Sequence, residues 1–337
     1  MAKITILGAG ITGLTIAAQP SSQPPSPTHQ ITIIARDLPA DAPSQRWSSP
    51  WACAGWVALG GGTALERQMQ LDALAFLRRV AAEHPAAGVR AVRLVDGPTT
   101  WFAEGVEGFE VLGDGLGGGE TRVGYGSVVV NPGVFLGWLK DRLVREGVMV
   151  LRVAEMRALT EKVVGYLGYL EHDVLINASG AGARVLEDVR DEEVVTDRTY
   201  TVLIKSDFEG ALVHRGVGVY TYFFGRGDGT AVLGGVSEPV GNVVKSCREV
   251  YEELFPRAHA TFPEQFPTKD FTDYEIVEDL VGIRPLRPAG VRVEKEVING
   301  LNIVHAYGTT IGGYIHSFGL AQEVTRLVEG YISESKA

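Results

Sequence analysis

The residues whose types and spacing point most directly to chemistry are Gly8-Ala9-Gly10-Ile11-Thr12-Gly13. They follow the apolar run KITILG (residues 3–8) and form G-x-G-x-x-G where a helix can open. In that context each glycine has a physical role. Gly8 permits a tight turn, Gly10 lets backbone approach a pyrophosphate, and Gly13 lets helix and strand pack closely. The helix N-terminus then offers unpaired N–H groups to the diphosphate. Such a site calls for an acid about 20 residues on, at the end of a second strand, to bind a ribose hydroxyl. Asp37 stands there, with Arg36 beside it. A lone glycine triplet reads as a structural turn; triplet, context and acid together predict dinucleotide binding. The seven histidines show no H-x-x-x-H or Cys/His spacing, so no metal site is expected. Cys53 and Cys247 are too few for a disulfide framework and read as two buried thiols in a reducing compartment.

The elements that must position these residues are also legible. A strand over residues 3–8, a helix from near Gly13 stopped by Pro20, a Pro/Ser-rich surface loop over 20–29 and a strand over 31–35 make a βαβ unit, and hence a parallel sheet. Leu65, Met69, Ala73, Phe76, Leu77 and Val80 recur at helical spacing. Asn131-Pro132 reads as cap and first residue of another helix, with Phe135, Leu139 and Leu143 as its stripe. Residues 171–177 and 301–306 read as further buried strands, each running into small residues: Ala178-Ser179-Gly180, and the cluster from Gly308 to Gly313. A final helix carries Leu320, Val324, Leu327, Val328 and Tyr331 on one face. Between residues 197 and 290 the texture turns to β. YTVLIK, YTYFFG and TAVLGG are apolar runs, the last two separated by the turn Arg226-Gly227-Asp228-Gly229, a hairpin signal. The only low-complexity stretches are short, such as Gly117-Gly118-Gly119.

Composition narrows the function classes. The 337 residues suffice for about two domains. They are 45% hydrophobic and 21% charged, which describes a folded globular chain. No apolar run approaches the roughly 20 residues of a membrane span, and no basic region precedes an apolar stretch at the N-terminus, so neither a span nor a secretory leader is expected. The net charge of −10 argues against nucleic-acid and anionic-membrane partners. The glycine fingerprint serves NAD as well as FAD. Its start at residue 8, and the glycine cluster before the last helix, favour a flavin held by two distant loops.

Six segments in order resemble the D-amino-acid oxidase family of flavoenzymes, which includes D-aspartate oxidase, over nearly the whole chain. They are Ile6 to Leu14, Ile34 to Pro39, Ser48 to Trp56, Asn177 to Gly180, Val281-Gly282-Ile283-Arg284-Pro285-Leu286-Arg287-Pro288, and His305-Ala306-Tyr307-Gly308 through Gly312-Gly313-Tyr314. The resemblance implies an α/β fold: a Rossmann-like FAD-binding domain with a parallel sheet (residues 1–56, 140–196 and 291–337) plus an inserted, mostly antiparallel α+β substrate domain (57–139 and 197–290). It implies non-covalent FAD, with contacts from Gly8, Ala9, Gly10, Ile11, Thr12, Gly13, Arg36, Asp37, Ser48, Ser49, Gly55, Trp56, Ser179, Gly180, Arg284, Gly312, Gly313, Tyr314 and Ile315. Met156 is expected on a strand that meets the adenine. Attachment through cysteine is not expected, since neither cysteine lies in the terminal loop.

The implied reaction is oxidation of a D-amino acid by molecular oxygen to an imino acid and hydrogen peroxide. Arg284 matches the family's carboxylate-binding arginine and Tyr222 an active-site tyrosine, with Tyr220 as its competitor on the same face and Gly313 near the substrate. Arginine suits a carboxylate because its planar fork makes two parallel bonds to one. On spacing alone Arg284 and Tyr222 would be an ion-paired residue and a core aromatic. Arg287, His305 and His316 keep structural readings, and the last helix, expected to start near His316, could direct its positive end at the flavin. Arg215, seven residues before Tyr222, is the candidate for binding the second carboxylate of an acidic substrate, although Gly234-Gly235-Val236-Ser237 lacks a second arginine found in animal D-aspartate oxidases. Neutral and acidic substrates both stay open. An NAD(P)-dependent dehydrogenase and a non-catalytic flavin binder are the other classes. The resemblance also implies a peroxisomal location, but Ser335-Lys336-Ala337 departs from S-K-L at its last residue. Oligomeric state is not readable, a homodimer being one option.

Overall fold

The computed structural model describes residues 1–19, 29–41, 44–114, 121–165, 168–216 and 219–334. The expected stop at Pro20, nearly all of the 20–29 loop, Gly117-Gly118-Gly119 and Ser335-Lys336-Ala337 lie outside the described residues. Two sheets carry the architecture. The strands are β1 (Lys3–Leu7), β2 (Gln30–Ala35), β3 (Val89–Asp96), β4 (Glu110–Asp114), β5 (Thr121–Val130), β6 (Met149–Arg152), β7 (Val164–Gly165), β8 (Gly168–Tyr169), β9 (Val174–Asn177), β10 (Val195–Lys205), β11 (Ala211–Gly216), β12 (Val219–Gly225), β13 (Thr230–Pro239), β14 (Ile276–Leu286), β15 (Arg292–Ile298) and β16 (Leu301–Tyr307). The helices are α1 (Ile11–Ala18), α2 (Ala64–Glu83), α3 (Pro132–Arg145), α4 (Cys247–Thr261) and α5 (Gly313–Glu334).

The first sheet has the order β15-β16-β9-β1-β2-β6 and is parallel except for its β15–β16 edge. Its strands are buried on both faces, as parallel sheets are. Ile4, Ile6, Ile31, Ile33, Ile176 and Val304 face the core that also holds α1 and α5. The alternate residues Leu7, Ile34, Leu175 and Ile303 face a smaller cluster on the other side. The second sheet, β14-β10-β13-β12-β11-β3-β5-β4, is antiparallel except where β11 meets β3. Its outer face is closed by α4, through Leu254, Phe255 and Ala258 against Val202, Phe223 and Leu233. The expected fold class is therefore the observed one: a parallel α/β sheet drawn from the start, middle and end of the chain, and a mostly antiparallel sheet between.

Several boundaries move, for local reasons. Helix α1 opens at Ile11, with Gly10 at its cap position, because the first helical bond already runs from Leu14 N to Gly10 O (3.0 Å). Strand β9 begins at Val174, after an Asp173 whose carboxylate accepts the Lys3 N–H. Asn131 sits at the cap of α3, but its amide donates to Asp228 Oδ2 at 3.2 Å and caps nothing. Leu65 is exposed in the first turn of α2, where Thr63 and Glu66 form a capping box instead. The boundaries set at 139/140 and 196/197 fall inside α3 and β10: Phe135 and Leu139 bury on one helix in one core, so the chain does not change layers there.

Helices α2 and α5 cross at Gly319, where an added Cβ would lie 2.3 Å from the Met69 backbone. Nothing flexible is there to yield. Gly319→Ala must push two helices of the central core apart, an overpacking cost of about 1–3 kcal/mol. Urea unfolding followed by circular dichroism reads it as a lowered midpoint at unchanged slope; an unchanged midpoint would show that the crossing relaxes freely.

Candidate active site

A cavity of about 890 Å³ lies where the two sheets meet, toward the upper end of the range for small-molecule and cofactor sites. One part of its wall is the first βα turn. Gly8 (φ +116°) is bonded through its N–H to Ile34 O, and a side chain there would meet Ala178 O at 2.4 Å. A Cβ on Gly13 would fall 1.9 Å from Gly8 O. Gly13 therefore serves close packing, as its position in the motif implies, and does not itself line the cavity, whereas Gly8 through Thr12 do. The first-turn N–H groups of α1 have no partner within the helix; that of Ile11 donates to Ser49 Oγ at 3.0 Å. A side chain on Gly10 would stand 3.0 Å from the same oxygen.

Around this turn the expected cofactor residues gather. Arg36 and Asp37 line the cavity at the end of β2, where Arg36 Nε donates to Asp37 Oδ2 at 2.7 Å and a second nitrogen reaches Glu155 at 3.1 Å. Ser48, Ser49, Gly55, Ser179, Gly180, Gly313, Tyr314 and Ile315 line it too. Ser179 donates its N–H to Asn177 Oδ1 at 3.2 Å, while its own buried hydroxyl has no partner among the described residues. Tyr314 donates to Ser49 O at 3.0 Å, joining the start of α5 to the 48–51 segment. Helix α5 begins at Gly313, three residues before the expected His316, because His316 N already bonds to Gly312 O. Its positive end thus opens at cavity-lining residues.

The second sheet supplies the other wall. Tyr220, Tyr222 and Phe224 alternate along β12 and so share one face, all lining the cavity. Burial pushes both phenols well above their ordinary range, and the neighbouring Cys53 thiol raises Tyr222 further. Both therefore stay protonated donors. Arg284, near the end of β14, lines the cavity with 30% of its side chain exposed. One of its nitrogens is 3.5 Å from Asp197 Oδ2, and its buried Nε has no hydrogen-bond partner among the described residues. The arrangement offers two protonated phenols and an incompletely satisfied guanidinium, which suits a small carboxylate.

Other expectations fail on contacts. Trp56 is fully buried: its indole donates to Gln70 O at 2.7 Å, its N–H to Val128 O, and it does not reach the cavity. Gly312 does not line it either, serving instead to admit the His316 ring, whose Nδ1 bonds the Gly312 carbonyl at 3.0 Å. Met156 lines the cavity from irregular chain beyond β6, not from a strand. Cys247 is the exposed first residue of α4; Cys53 is half-buried in the cavity wall, its thiol pushed up by burial. His305, His316 and Arg287, by contrast, stand as the structural residues they were expected to be: both histidines are buried outside the lining and held below their ordinary range by burial, and Arg287 is paired with Asp191 at 2.9 Å.

Arg215 departs furthest from its expected role. Its Nε and Nη2 grip Asp96 at 2.9 and 2.8 Å, and Nη2 also reaches Ala58 O at 2.8 Å. Asp96 is fully buried and further accepts from Gly97 N at 2.7 Å and from Tyr125 at 3.3 Å. Arg215 stands 5.7 Å over the Tyr220 ring and does not line the cavity. Sequence reasoning missed Asp96, 119 residues away, and also Thr199 and Thr201. These two line the cavity from β10, two residues apart and so on one face of the strand.

Residues 3–327 match the family described as FAD dependent oxidoreductase, and the chain belongs to it. It is 29% identical over 364 aligned residues to a D-aspartate oxidase of Talaromyces thermophilus, covering 97% of this chain and 95% of that protein. It is 27% identical over 367 residues to a D-amino-acid oxidase of Fusarium vanettenii, covering 99% of each. Among solved structures, a glycine oxidase from Geobacillus kaustophilus has the same fold, with a TM-score of 0.76 at 16% identity over 98% of this chain and 95% of that one. The cavity fits the family's cofactor. Gly10 leaves a cradle that a Cβ would narrow, the buried Ser179 hydroxyl lacks a partner among the described residues, and Asp37 stands at the end of β2.

Removing one partner of the Arg215–Asp96 pair strands a buried charge. Arg215→Met should cost about 3–5 kcal/mol of stability. The double variant Arg215→Met/Asp96→Leu should recover most of it. Denaturant titration of the three proteins decides; equal midpoints for Arg215→Met and the parent would mean that the pair contributes nothing to the fold.

Proposed function

We propose that this protein is an FAD-dependent D-amino-acid oxidase that holds its cofactor non-covalently. The observation that carries the reading is Arg284 in the cavity wall, its Nε without a partner among the described residues, beside Tyr220 and Tyr222. Bound FAD would supply the acceptor for a hydride from the substrate Cα and the route for those two electrons to oxygen, so that the products would be an imino acid and hydrogen peroxide. The protein's own residues bind and orient. Arg284 takes the substrate carboxylate as charge-assisted hydrogen bonds, and the protonated phenol of Tyr222 donates a further bond to it. Tyr220, Phe224 and Leu59 give the cavity apolar surface that excludes water. No side chain need act as acid or base on Cα, provided the substrate amine is neutral.

For the side chain of the substrate we propose a neutral group. Arg36 is shared with Asp37 and Glu155, Arg215 is committed to Asp96, and Arg46, which also lines the cavity, is largely exposed to water near Glu155, so among the described residues no buried, uncommitted cation other than Arg284 would meet a second carboxylate. A D-aspartate oxidase is the second reading, favoured by the likeness to the Talaromyces enzyme; it requires Arg215 to leave Asp96. Peroxisomal location and a homodimer rest on the family resemblance alone.

Anaerobic spectra of the purified yellow protein with D-alanine, D-aspartate or L-alanine test the reaction. D-alanine should bleach the flavin bands, faster than D-aspartate does, and L-alanine should leave them. Arg284→Ala should raise KM for D-alanine by about a hundredfold or more. A near-normal KM would remove Arg284 from the site, and a protein that no D-isomer bleaches would sink the activity.

Non-covalent attachment has its own check. Acid precipitation should release all the flavin to the supernatant, with none retained in the pellet. Retained colour would point to Cys53, the thiol in the cavity wall.

A further inference from the structure

Tyr222 rests against two residues that have no side chains. A Cβ on Gly234 would lie 2.3 Å from the Tyr222 ring, and one on Gly235 would lie 2.8 Å from its hydroxyl. Whatever fixes this backbone therefore fixes where the phenol sits, and no side chain of its own can do so. Nor does the ladder hold it fully. Between β10 and β13 the register runs Tyr200↔Val236 and then Thr201↔Gly234, so Gly235 is the extra residue of a β-bulge. A bulge leaves that residue outside the strand pairing, its carbonyl in need of another donor.

The donor comes from the opposite face of the sheet. Arg257, on α4, sends Nη2 to Gly235 O at 2.6 Å, while Nη1 lies 3.4 Å from Glu253 one turn earlier. Its side chain is only 18% exposed, and its Nε has no partner among the described residues. A largely buried guanidinium makes its short bond to one cavity-lining carbonyl and only a long one to Glu253. A charged donor makes a stronger bond than a neutral one, and a carbonyl left without it would turn toward whatever donor is nearest.

We propose that Arg257 is a positioning residue for substrate binding: it pins the Gly235 carbonyl at the bulge, and the bulge holds Tyr222 against the substrate carboxylate. It touches neither substrate nor cofactor and acts through Tyr222. The inference rests on the proposed role of Tyr222, and its test separates the two.

A double-mutant cycle between Arg257→Met and Tyr222→Phe reads the coupling. Arg257→Met should raise KM for D-alanine about tenfold while bound flavin and kcat stay near the parent's. Arg257→Lys, which keeps the charge and ends one bond short of the lost nitrogen, should recover part of the loss. In the Tyr222→Phe background, Arg257→Met should add less than about twofold. Full additivity, or an unchanged KM in Arg257→Met, overturns the proposal. If the parent oxidises no D-amino acid, the same cycle is run on the dissociation constant of propionate, followed through the flavin spectrum. Coupling there keeps the positioning role while the oxidase reading falls; additivity there removes both.

Discussion

The first βα turn is so crowded by carbonyl oxygens that two of its positions admit only hydrogen. A Cβ on Gly13 would sit 1.9 Å from the Gly8 carbonyl, and one on Gly8 would sit 2.4 Å from the Ala178 carbonyl. Those contacts bring β1, α1 and the end of β9 together, with β2 on the other side of β1. Only when they are that close do the first-turn N–H groups of α1, Ser179 and Asp37 face one cavity. The parallel sheet, the helix that follows its first strand and the cofactor site are therefore consequences of one packing constraint. Relaxing it anywhere would separate the elements before it altered any side chain.

The second wall repeats the device with aromatic rings in place of carbonyls. Gly55 gives way to Phe224, Gly234 to Tyr222 and Gly282 to Trp51, each hypothetical Cβ falling within 2.7 Å of the ring-bearing side chain. The segment over residues 44–59 passes from the first sheet to the second, pairs with β5 at Gly55 and contributes to the cavity along the way. Burying rings this tightly has an electrostatic effect, because a phenolate there would lose its hydration. Tyr220 and Tyr222 are held as neutral donors by the same packing that shapes the pocket. Shape and protonation state have one cause.

What is legible in the sequence follows from range. The glycine motif, Asp37, the strands at 31–35 and 301–306 and the hairpin at Arg226 to Gly229 depend on residues close in sequence, and they stand where the pattern puts them. The same holds for the stripes of α2, α3 and α5 apart from their ends. Arg215 escapes such a reading because what decides its role is Asp96 on a strand 119 residues earlier, a pairing that no local pattern announces. Trp56 lies beside cavity-lining Gly55, but extended chain turns alternate residues to opposite faces, and this one goes to the core. Cys247 reads as buried by residue type and is exposed because it opens a helix behind the capping Ser246.

The contrast between two arginines shows what the structure adds. Both Arg215 and Arg284 sit on strands of the same sheet near the same tyrosines, and residue type cannot rank them. Arg215 engages a fully buried carboxylate and a carbonyl through Nε and Nη2, so a ligand would have to displace a bidentate pair to reach it. Arg284 meets Asp197 only at 3.5 Å and leaves Nε unbonded among the described residues. An orphaned buried donor costs about 1–3 kcal/mol, which a fold tolerates where a ligand supplies the missing acceptor. Orphan atoms alone do not identify such a place, since Arg90, Arg198, Arg226 and Arg257 have them too. None of those four lines the large cavity, and Arg284 does. The conjunction of an unsatisfied cation, a cavity wall and two neutral phenol donors selects Arg284 on physical grounds, independently of the motif that first drew attention to it.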